Sequence, residues 1–367
     1  MGAAKNILKV GAGLTAAAAA AVASYAAYLQ LQYYRIEDGL RTPIEGAEND
    51  EIIKVGQDYK AVTFNIGFGA YTQDFTFFMD RGFMEDGTPT RGEHGRAFSE
   101  NSVLNATNGA AANVFKLHPD FVLFQEVDTD SDRSHHVNQK RAITKTFLDY
   151  SSTYAVNFHS AYLAYPIPEN HGRANSGILS LFDKKIDSAF RMSYPVDQSF
   201  PEKFFDLDRC FEVMKFPVDN GRELVLINSH MSAYDRDGVI RSKQLERLCD
   251  VLSRERSAGN YVIAGGDWNH ALCNSQGLIP SKQQVPPWVS VLNDSDLPEG
   301  FSIVRASNID EVGTCRGSDI PYKKGVTYTV TVDGFVVSDN VSATARNIDT
   351  GFSYSDHNPV EMTFELL

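Results

Sequence analysis

The stretch Tyr261–His270, YVIAGGDWNH, decides how the rest of the chain is read. Its apolar start, Tyr261 to Ala264, has the pattern of a short buried strand. Gly265 and Gly266 follow, where missing side chains let the backbone turn sharply and another group come close. Asp267 and Asn269 then stand two residues apart. Alternate side chains of an extended chain point the same way, so a carboxylate and a carboxamide are aimed at one space. Such a strand end can serve a metal ion, a water or a phosphate. Alone it is equally a strand closing in an Asx-type turn, so the rest of the chain has to supply the company.

Five further runs end in the same manner. AVTFNI, Ala61–Ile66, buries Val62 and Phe64 and turns Asn65 to the other face. FVLFQE, Phe121–Glu126, is apolar until Gln125 and Glu126. LVLINSH, Leu224–His230, delivers Asn228 and His230 on one side. TYTVTVDGFVVS, Thr327–Ser338, alternates through Tyr328, Val330 and Val332 and sets Asp333 on the opposite face. SDHNP, Ser355–Pro359, places Asp356 and His357 ahead of a final alternating strand. Each polar end has an ordinary explanation by itself, as a turn cap, a surface acid or a hydrogen-bonded core histidine. Six together hold what metal-assisted phosphoester chemistry requires, and in α/β sheets ligands collect at strand ends.

The first 34 residues differ from the rest. Lys5 and Lys9 precede an uncharged, alanine-rich run from Val10 to Leu29. Twenty residues at about 1.5 Å each span roughly 30 Å, the thickness of a bilayer's hydrocarbon core. Tyr25, Tyr28, Tyr33 and Tyr34 gather at the far end, where aromatic rings favour the headgroup layer, and Arg35 closes it. The expectation is a single-pass signal anchor over 1–34 with the remainder outside the cell membrane. A signal peptide cleaved at Ala21–Ala23 or Ser24–Ala26, and so a secreted protein, is the alternative. Residues 35–53 read as an acidic tether, and 54–367 as one domain without repeats or a Pro/Gly/Ser-rich linker. Helical spacing is visible over Glu100–Leu117, His136–Tyr150 and Arg236–Arg256.

The formal net charge is −13, and 43% of the 367 residues are hydrophobic. That balance can bury a sizeable core, and it argues against a broad basic surface gripping nucleic acid. Cys210, Cys249, Cys273 and Cys315 form no Cys-x-x-Cys pair. They are expected as buried thiols, or with one disulfide if the domain lies outside the cytoplasm.

The ordered series TFNI, QE, NSH, GDWN, DGFVVS and SDHNP, spread from Thr63 to Pro359, resembles the endonuclease/exonuclease/phosphatase superfamily. That group includes pancreatic-type deoxyribonuclease, abasic-site endonucleases, bacterial neutral sphingomyelinases and inositol polyphosphate 5-phosphatases. TFNIGFGAYTQDFTFFMD, NSHMSAYD and GGDWNH look most similar to its membrane-anchored bacterial members. The resemblance implies an α/β (α+β) fold, a four-layer sandwich of two packed mixed β-sheets flanked by helices. It also implies roles. Glu126 looks like the principal ligand of Mg²⁺ (or Mn²⁺), with Asn65 and Asp356 at the same ion. Asp267 resembles the residue that positions or deprotonates the attacking water, and Asn269 its partner on the phosphate. His230 and His357 resemble the pair flanking the scissile phosphate, with Asp333 orienting His357. Gly67, and Val127–Asp128, replace an acid and an arginine of the DNA-acting branches, which weakens the case for DNA.

The expected activity is therefore metal-dependent phosphoester hydrolysis by in-line attack of water, in a monomer. A lipid phosphodiesterase of sphingomyelinase type, or a catalytically silent binding protein on the same scaffold, are the alternatives. Substrate contacts are expected from Tyr165, Arg173 and Asn175. The aromatic insertion Tyr71–Phe83, followed by Arg91, His94 and Arg96, reads either as a lid or as core packing plus a loop.

Overall fold

The computed structural model describes residues 2–204, 208–233 and 238–367. In chain order its main elements are helix α1 (Gly2–Gln32) and strands β1 (Leu40–Arg41), β2 (Glu45–Gly46) and β3 (Asp58–Asn65). Helix α2 (Glu100–Phe115), β4 (Phe121–Asp128), α3 (Gln139–Thr144), β5 (Ser151–His159), β6 (Asn175–Phe182) and β7 (Ser188–Ser193) follow. Then come β8 (Cys210–Pro217), β9 (Glu223–His230), α4 (Val239–Ser257) and β10 (Tyr261–Asp267). The chain closes with β11 (Phe301–Ile303), β12 (Asp333–Ser338), β13 (Val341–Asn347) and β14 (Val360–Leu366).

Two seven-stranded mixed sheets result, ordered β1-β7-β8-β9-β10-β12-β11 and β13-β14-β3-β4-β6-β5-β2. Their inner faces meet over Leu123, Leu226, Ile263, Phe335, Met362 and Phe364, all essentially excluded from solvent. Helix α4 lays Leu248, Val251 and Leu252 on the outer face of the first sheet, against Val225, Ile227 and Val262. Helices α2 and α3 cover the second, with Ala110, Val114 and Ile143 on Val62, Phe64 and Val122. The layers are helix, sheet, sheet, helix. Strands buried on both faces explain why β4, β9 and β10 read as near-continuous apolar runs.

Several expectations shift in detail. Helix α2 starts where Ser99 and Ser102 form a capping box. The helix expected over His136–Tyr150 is only Gln139–Thr144. Beyond it the chain turns so that Phe147 can bury its ring against Phe115, Phe124 and Tyr150. The strand expected over Thr327–Ser338 breaks in two, because the Thr314 hydroxyl takes the N–H groups of Val332 and Asp333. Thr329–Val330 then pairs with Cys315–Arg316, and only β12 joins the large sheet. Arg236, the first residue of the third expected helix, and Tyr234–Asp235 of the NSHMSAYD stretch lie outside the described residues.

Residues 35–53, read as a tether, run along the domain. Here β1 pairs with β7 and β2 with β5, so one short segment covers an edge of each sheet. Asp38 pairs with Arg247 at 2.9 Å and accepts from the Ser193 N–H at 2.7 Å. Cys210 and Cys315 are buried, Cys249 and Cys273 are half-buried, and all four thiols are free. Among the described residues one helix, α1, is long and apolar enough to cross a membrane.

Candidate active site

The two sheets bring their polar strand ends to one place. In the first sheet, β9 and β10 run parallel with His230 opposite Asp267, while β10 and β12 run antiparallel with Asp267 opposite Asp333. Three adjacent strands thus present an imidazole and two carboxylates on a single rung. The strands must lie close here. Gly266 carries φ +148°, and a Cβ on it would collide with the Ser229 carbonyl. A Cβ on Gly265 would come within 2.5 Å of the Phe335 ring.

The second sheet supplies Asn65 and Glu126. Asn65 ends β3, accepts from the Gly67 N–H at 2.9 Å, and donates to Asp267 Oδ2 at 2.9 Å. Glu126 sits in a register break of β4 between Phe124 and Val127, with φ +54°. A left-handed glutamate is uncommon and strained. The break turns its carboxylate toward Asn65 Nδ2, 3.3 Å away. Beneath this pair Gln125 donates to Asn228 Oδ1 across the sheets at 2.8 Å, and Asn228 donates to Ser180 at 3.0 Å. That buried amide pair fixes how the two sheets meet.

The loop 355–359 closes the ring. The Ser355 hydroxyl donates to the Asn65 carbonyl at 2.8 Å and accepts from the His357 N–H at 3.1 Å. His357 Nδ1 lies 2.7 Å from Asp333 Oδ2, and its Nε2 lies 3.9 Å from Asp267 Oδ2. His230 Nε2 stands 3.5 Å from the same oxygen and 3.8 Å from Glu126 Oε1. The Asn157 amide N–H faces His230 Nδ1 at 3.4 Å, which assigns the imidazole proton to Nε2. Asn269, at φ +49°, donates its backbone N–H to Asp267 Oδ1 and its amide to the Met231 carbonyl.

Burial and neighbouring charges set these groups apart. Burial, reinforced by the Asp333 carboxylate, pushes Asp267 up to about 6. Burial would lower His357, but the Asp333 carboxylate overrides it and holds this imidazole well above its usual value. His230 goes the other way, driven well below 6.5 by burial and by the positive charge of Arg209. The set therefore contains a near-neutral base, a cationic imidazole and a neutral imidazole whose Nε2 can donate.

Glu126, Asp267, Asn269, Asp356 and His357 line one cavity of about 540 Å³, and Tyr165 lies on its wall. Asn65, His230 and Asp333 stand directly behind them through the contacts above. Arg173 and Asn175 are not among the lining residues. Their backbone N–H groups bond to Asp132 and Ser131.

Arg133 and Arg316 line the cavity without any signal in the strand-end motifs. Arg133 lines the cavity, makes a bidentate pair with Asp128, and lays its guanidinium 3.9 Å over the Phe68 ring. Arg316, also lining, donates to the carbonyls of Thr72 and Phe75 and so fixes the aromatic insertion as a cavity wall. Neither belongs to a recognisable strand-end pattern. The one available signal for Arg133 was Asp128 five residues before it.

Two donor sets could hold a cation. Asp267, Asp333 and His357 offer ligand atoms within 4.8 Å of one another. However, His357 is engaged by Asp333 and held cationic, and a protonated imidazole has no lone pair for a metal. Glu126 and Asp356 are two carboxylates facing the same cavity, with the Asn65 amide beside them. Burial raises Asp356, and the charge of Glu126 adds to the rise. Two carboxylates in mutual repulsion, held by the Asn65 amide and by the Ser355 and Ser318 hydroxyls, fit a hard divalent cation, which takes one or two carboxylates plus water and phosphate oxygens.

His171, on the far wall, is packed by Phe77, Phe78 and Phe158 and bonded through Nδ1 to the Gly95 carbonyl. Burial lowers it from 6.5 to about 4. The unfolded chain then binds the extra proton between those values, so His171 contributes stability above pH 6.5 that is lost as pH falls toward 4. The loss is about 3 kcal/mol. Thermal unfolding of His171→Gln is expected to fall less than the parent's over that interval. Equal losses would remove His171 as the cause.

A family profile described as "Endonuclease/Exonuclease/phosphatase family" matches residues 62–357. No curated protein matches the chain. Among solved structures, TDP2 from C. elegans is 16% identical, covers 85% of this chain and 76% of its own, and superimposes with TM-score 0.52. An endonuclease/exonuclease/phosphatase protein from Beutenbergia cavernae is 14% identical over 84% of this chain and 72% of its own, TM-score 0.53. The human Nocturnin catalytic domain with bound sulfate anion is 14% identical over 89% and 98%, TM-score 0.50. At these identities the likeness is one of fold.

Proposed function

Because the chain belongs to the endonuclease/exonuclease/phosphatase family, whose profile spans 62–357, we propose that it is a divalent-metal-dependent phosphodiesterase acting by direct attack of water. The observation that carries the reading is the convergence on Asp267. Asn65 and the Asn269 N–H hold this carboxylate, two imidazoles flank it, and it opens to a cavity shared with Glu126 and Asp356.

Asp267 is placed to hold water in line with phosphorus and take its proton, and a base near pH 6 suits that work. As the water oxygen bonds to phosphorus, the ester bond to the leaving oxygen breaks. His357, kept cationic by Asp333, supplies positive charge to the developing phosphorane and a proton to the departing alkoxide. His230 stays neutral and donates from Nε2 to a non-bridging oxygen, and Asn269 steadies the base. A divalent cation, Mg²⁺ or Mn²⁺, would be held by Glu126 with Asn65 and Asp356, and would neutralise charge on the phosphate when bound. With every charge-handling group present, a silent binding protein is the weaker reading.

The test is hydrolysis of bis(4-nitrophenyl) phosphate by the full-length chain over a titration of Mg²⁺ and Mn²⁺. Metal-stimulated turnover is expected. Glu126→Gln should raise the metal concentration for half-maximal rate by at least about tenfold. Metal-independent turnover, or an unshifted titration, would contradict this ligand assignment. Anchorage by α1 with the domain outside the membrane remains part of the proposal, supported by the span Lys9–Gln32.

A further inference from the structure

The cavity is much larger than a phosphate and its attacking water require. Beyond the catalytic groups its wall includes the apolar row Phe77, Phe78, Met79, Phe158, Leu163 and Tyr165, with Asp80, Arg133, Arg209 and Arg316 as its other charged members, and among the described residues no lysine lines it. Leu163 has a second role. It also belongs to the apolar cluster with Leu29, Tyr25, Tyr28 and Phe204, through which the end of α1 packs on the domain. Hydrogen bonds fix that junction. The Ala164 N–H donates to the Tyr25 hydroxyl at 3.0 Å, and the Tyr162 N–H donates to the Tyr28 hydroxyl at 3.1 Å. One loop is therefore at once the wall of the cavity and the seat of the apolar helix.

The level of that loop follows from the helix. The apolar span runs from Lys9 to Gln32. At about 1.5 Å per residue its length slightly exceeds a hydrocarbon core of roughly 30 Å. Tyr25–Leu29 then lies near the boundary between acyl chains and headgroups, and residues 161–164 lie there with it. Just past Tyr165, Ile167 is 81% exposed, and Phe200, which packs edge-on against Phe204, is 67% exposed. Exposed apolar side chains beside a membrane helix are costly in water and favourable in the interfacial layer.

The geometry points to an amphiphilic phosphodiester as substrate. Its phosphate sits at Glu126–His357, and its hydrocarbon chain lies along the Phe78–Leu163 wall, entering from the bilayer that α1 holds. This rests on the phosphodiesterase reading above. An aromatic wall can also stack nucleobases, but a polyanion would have to approach a chain of net charge −13. Two of the lining arginines, Arg133 and Arg316, are already engaged by Asp128 and by backbone carbonyls.

The experiment uses the full-length chain in phosphatidylcholine/phosphatidylglycerol vesicles. The chain has two tryptophans, Trp288 on the cavity wall and Trp268 fully buried in the core. Chain-brominated phosphatidylcholine is expected to quench Trp288, with the quench lost in Phe78→Glu and in Trp288→Phe. With Mg²⁺ or Mn²⁺, vesicle lipid should be cleaved with kcat/KM at least about tenfold above that for a single-stranded oligonucleotide. Ile167→Asp should lower the vesicle rate by about tenfold while leaving bis(4-nitrophenyl) phosphate within about twofold. Absence of quenching, preference for the oligonucleotide, or an unaltered vesicle rate in Ile167→Asp overturns the inference. Quenching without cleavage of any of the three esters supports the hydrocarbon slot and removes the phosphodiesterase reading instead.

Discussion

Asp267→Asn is expected to lower kcat on a soluble phosphodiester by about 10²–10⁴-fold, the range lost with a positioned general base. The amide keeps the shape of the carboxylate but cannot take a proton from water. Loss of fold is not a competing explanation, because the ionised carboxylate is itself a burden. Burial and Asp333 push Asp267 up to about 6, so its charge opposes folding at neutral pH. That relief offsets the one acceptor the amide loses toward Asn65 or the Asn269 N–H, and the variant's unfolding temperature is therefore expected to stay close to the parent's. A folded Asp267→Asn that turns over within about tenfold of the parent would show that another group handles the water.

The second large effect belongs to His357 and Asp333 acting together. His357→Gln removes the cationic donor and should cost about 10²–10³-fold in kcat, as the loss of one donor to a developing oxyanion does. Asp333→Asn leaves the imidazole in place but removes the carboxylate 2.7 Å from Nδ1, and with it the cation that carboxylate sustains. Because Asp333 works chiefly through His357, and only secondarily by raising Asp267, the double variant should be close to the His357 single variant in rate. Additive losses in such a cycle would mean that the two residues act separately.

The folding pattern was legible wherever chemistry and burial act through short-range sequence. Strands β3, β4, β9 and β10 are legible because each is an apolar run closed by a polar residue, and β14 because its apolar residues alternate. Their polar ends converge because parallel and antiparallel registers put His230, Asp267 and Asp333 on one rung. Asn65 and Glu126 meet that rung from the facing sheet, through Asn65's bond to Asp267. What could not be read depends on distant partners. The break within Thr327–Ser338 needs the Thr314 hydroxyl, and the pairing of residues 40–46 needs free edges on both sheets. The inward turn of Glu126 needs a left-handed residue in a register break, which no local propensity announces. Arg133 and Arg316 were missed for the same reason. An arginine outside an apolar run reads as solvated until the aromatic rings and carbonyls around it are known. In the segment 159–177 Tyr165 lies on the cavity wall, while Arg173 and Asn175 are not among the lining residues.

The mechanism requires above all that water be the nucleophile that bonds to phosphorus. Single-turnover hydrolysis of bis(4-nitrophenyl) phosphate by the full-length chain with Mg²⁺, in ¹⁸O-labelled water, tests it directly. The account predicts one labelled oxygen in each phosphate product and none in the released nitrophenol. Unlabelled phosphate product in that first turnover would instead mean that a protein oxygen attacked phosphorus, and label in the nitrophenol would mean that the carbon–oxygen bond broke; either result contradicts it.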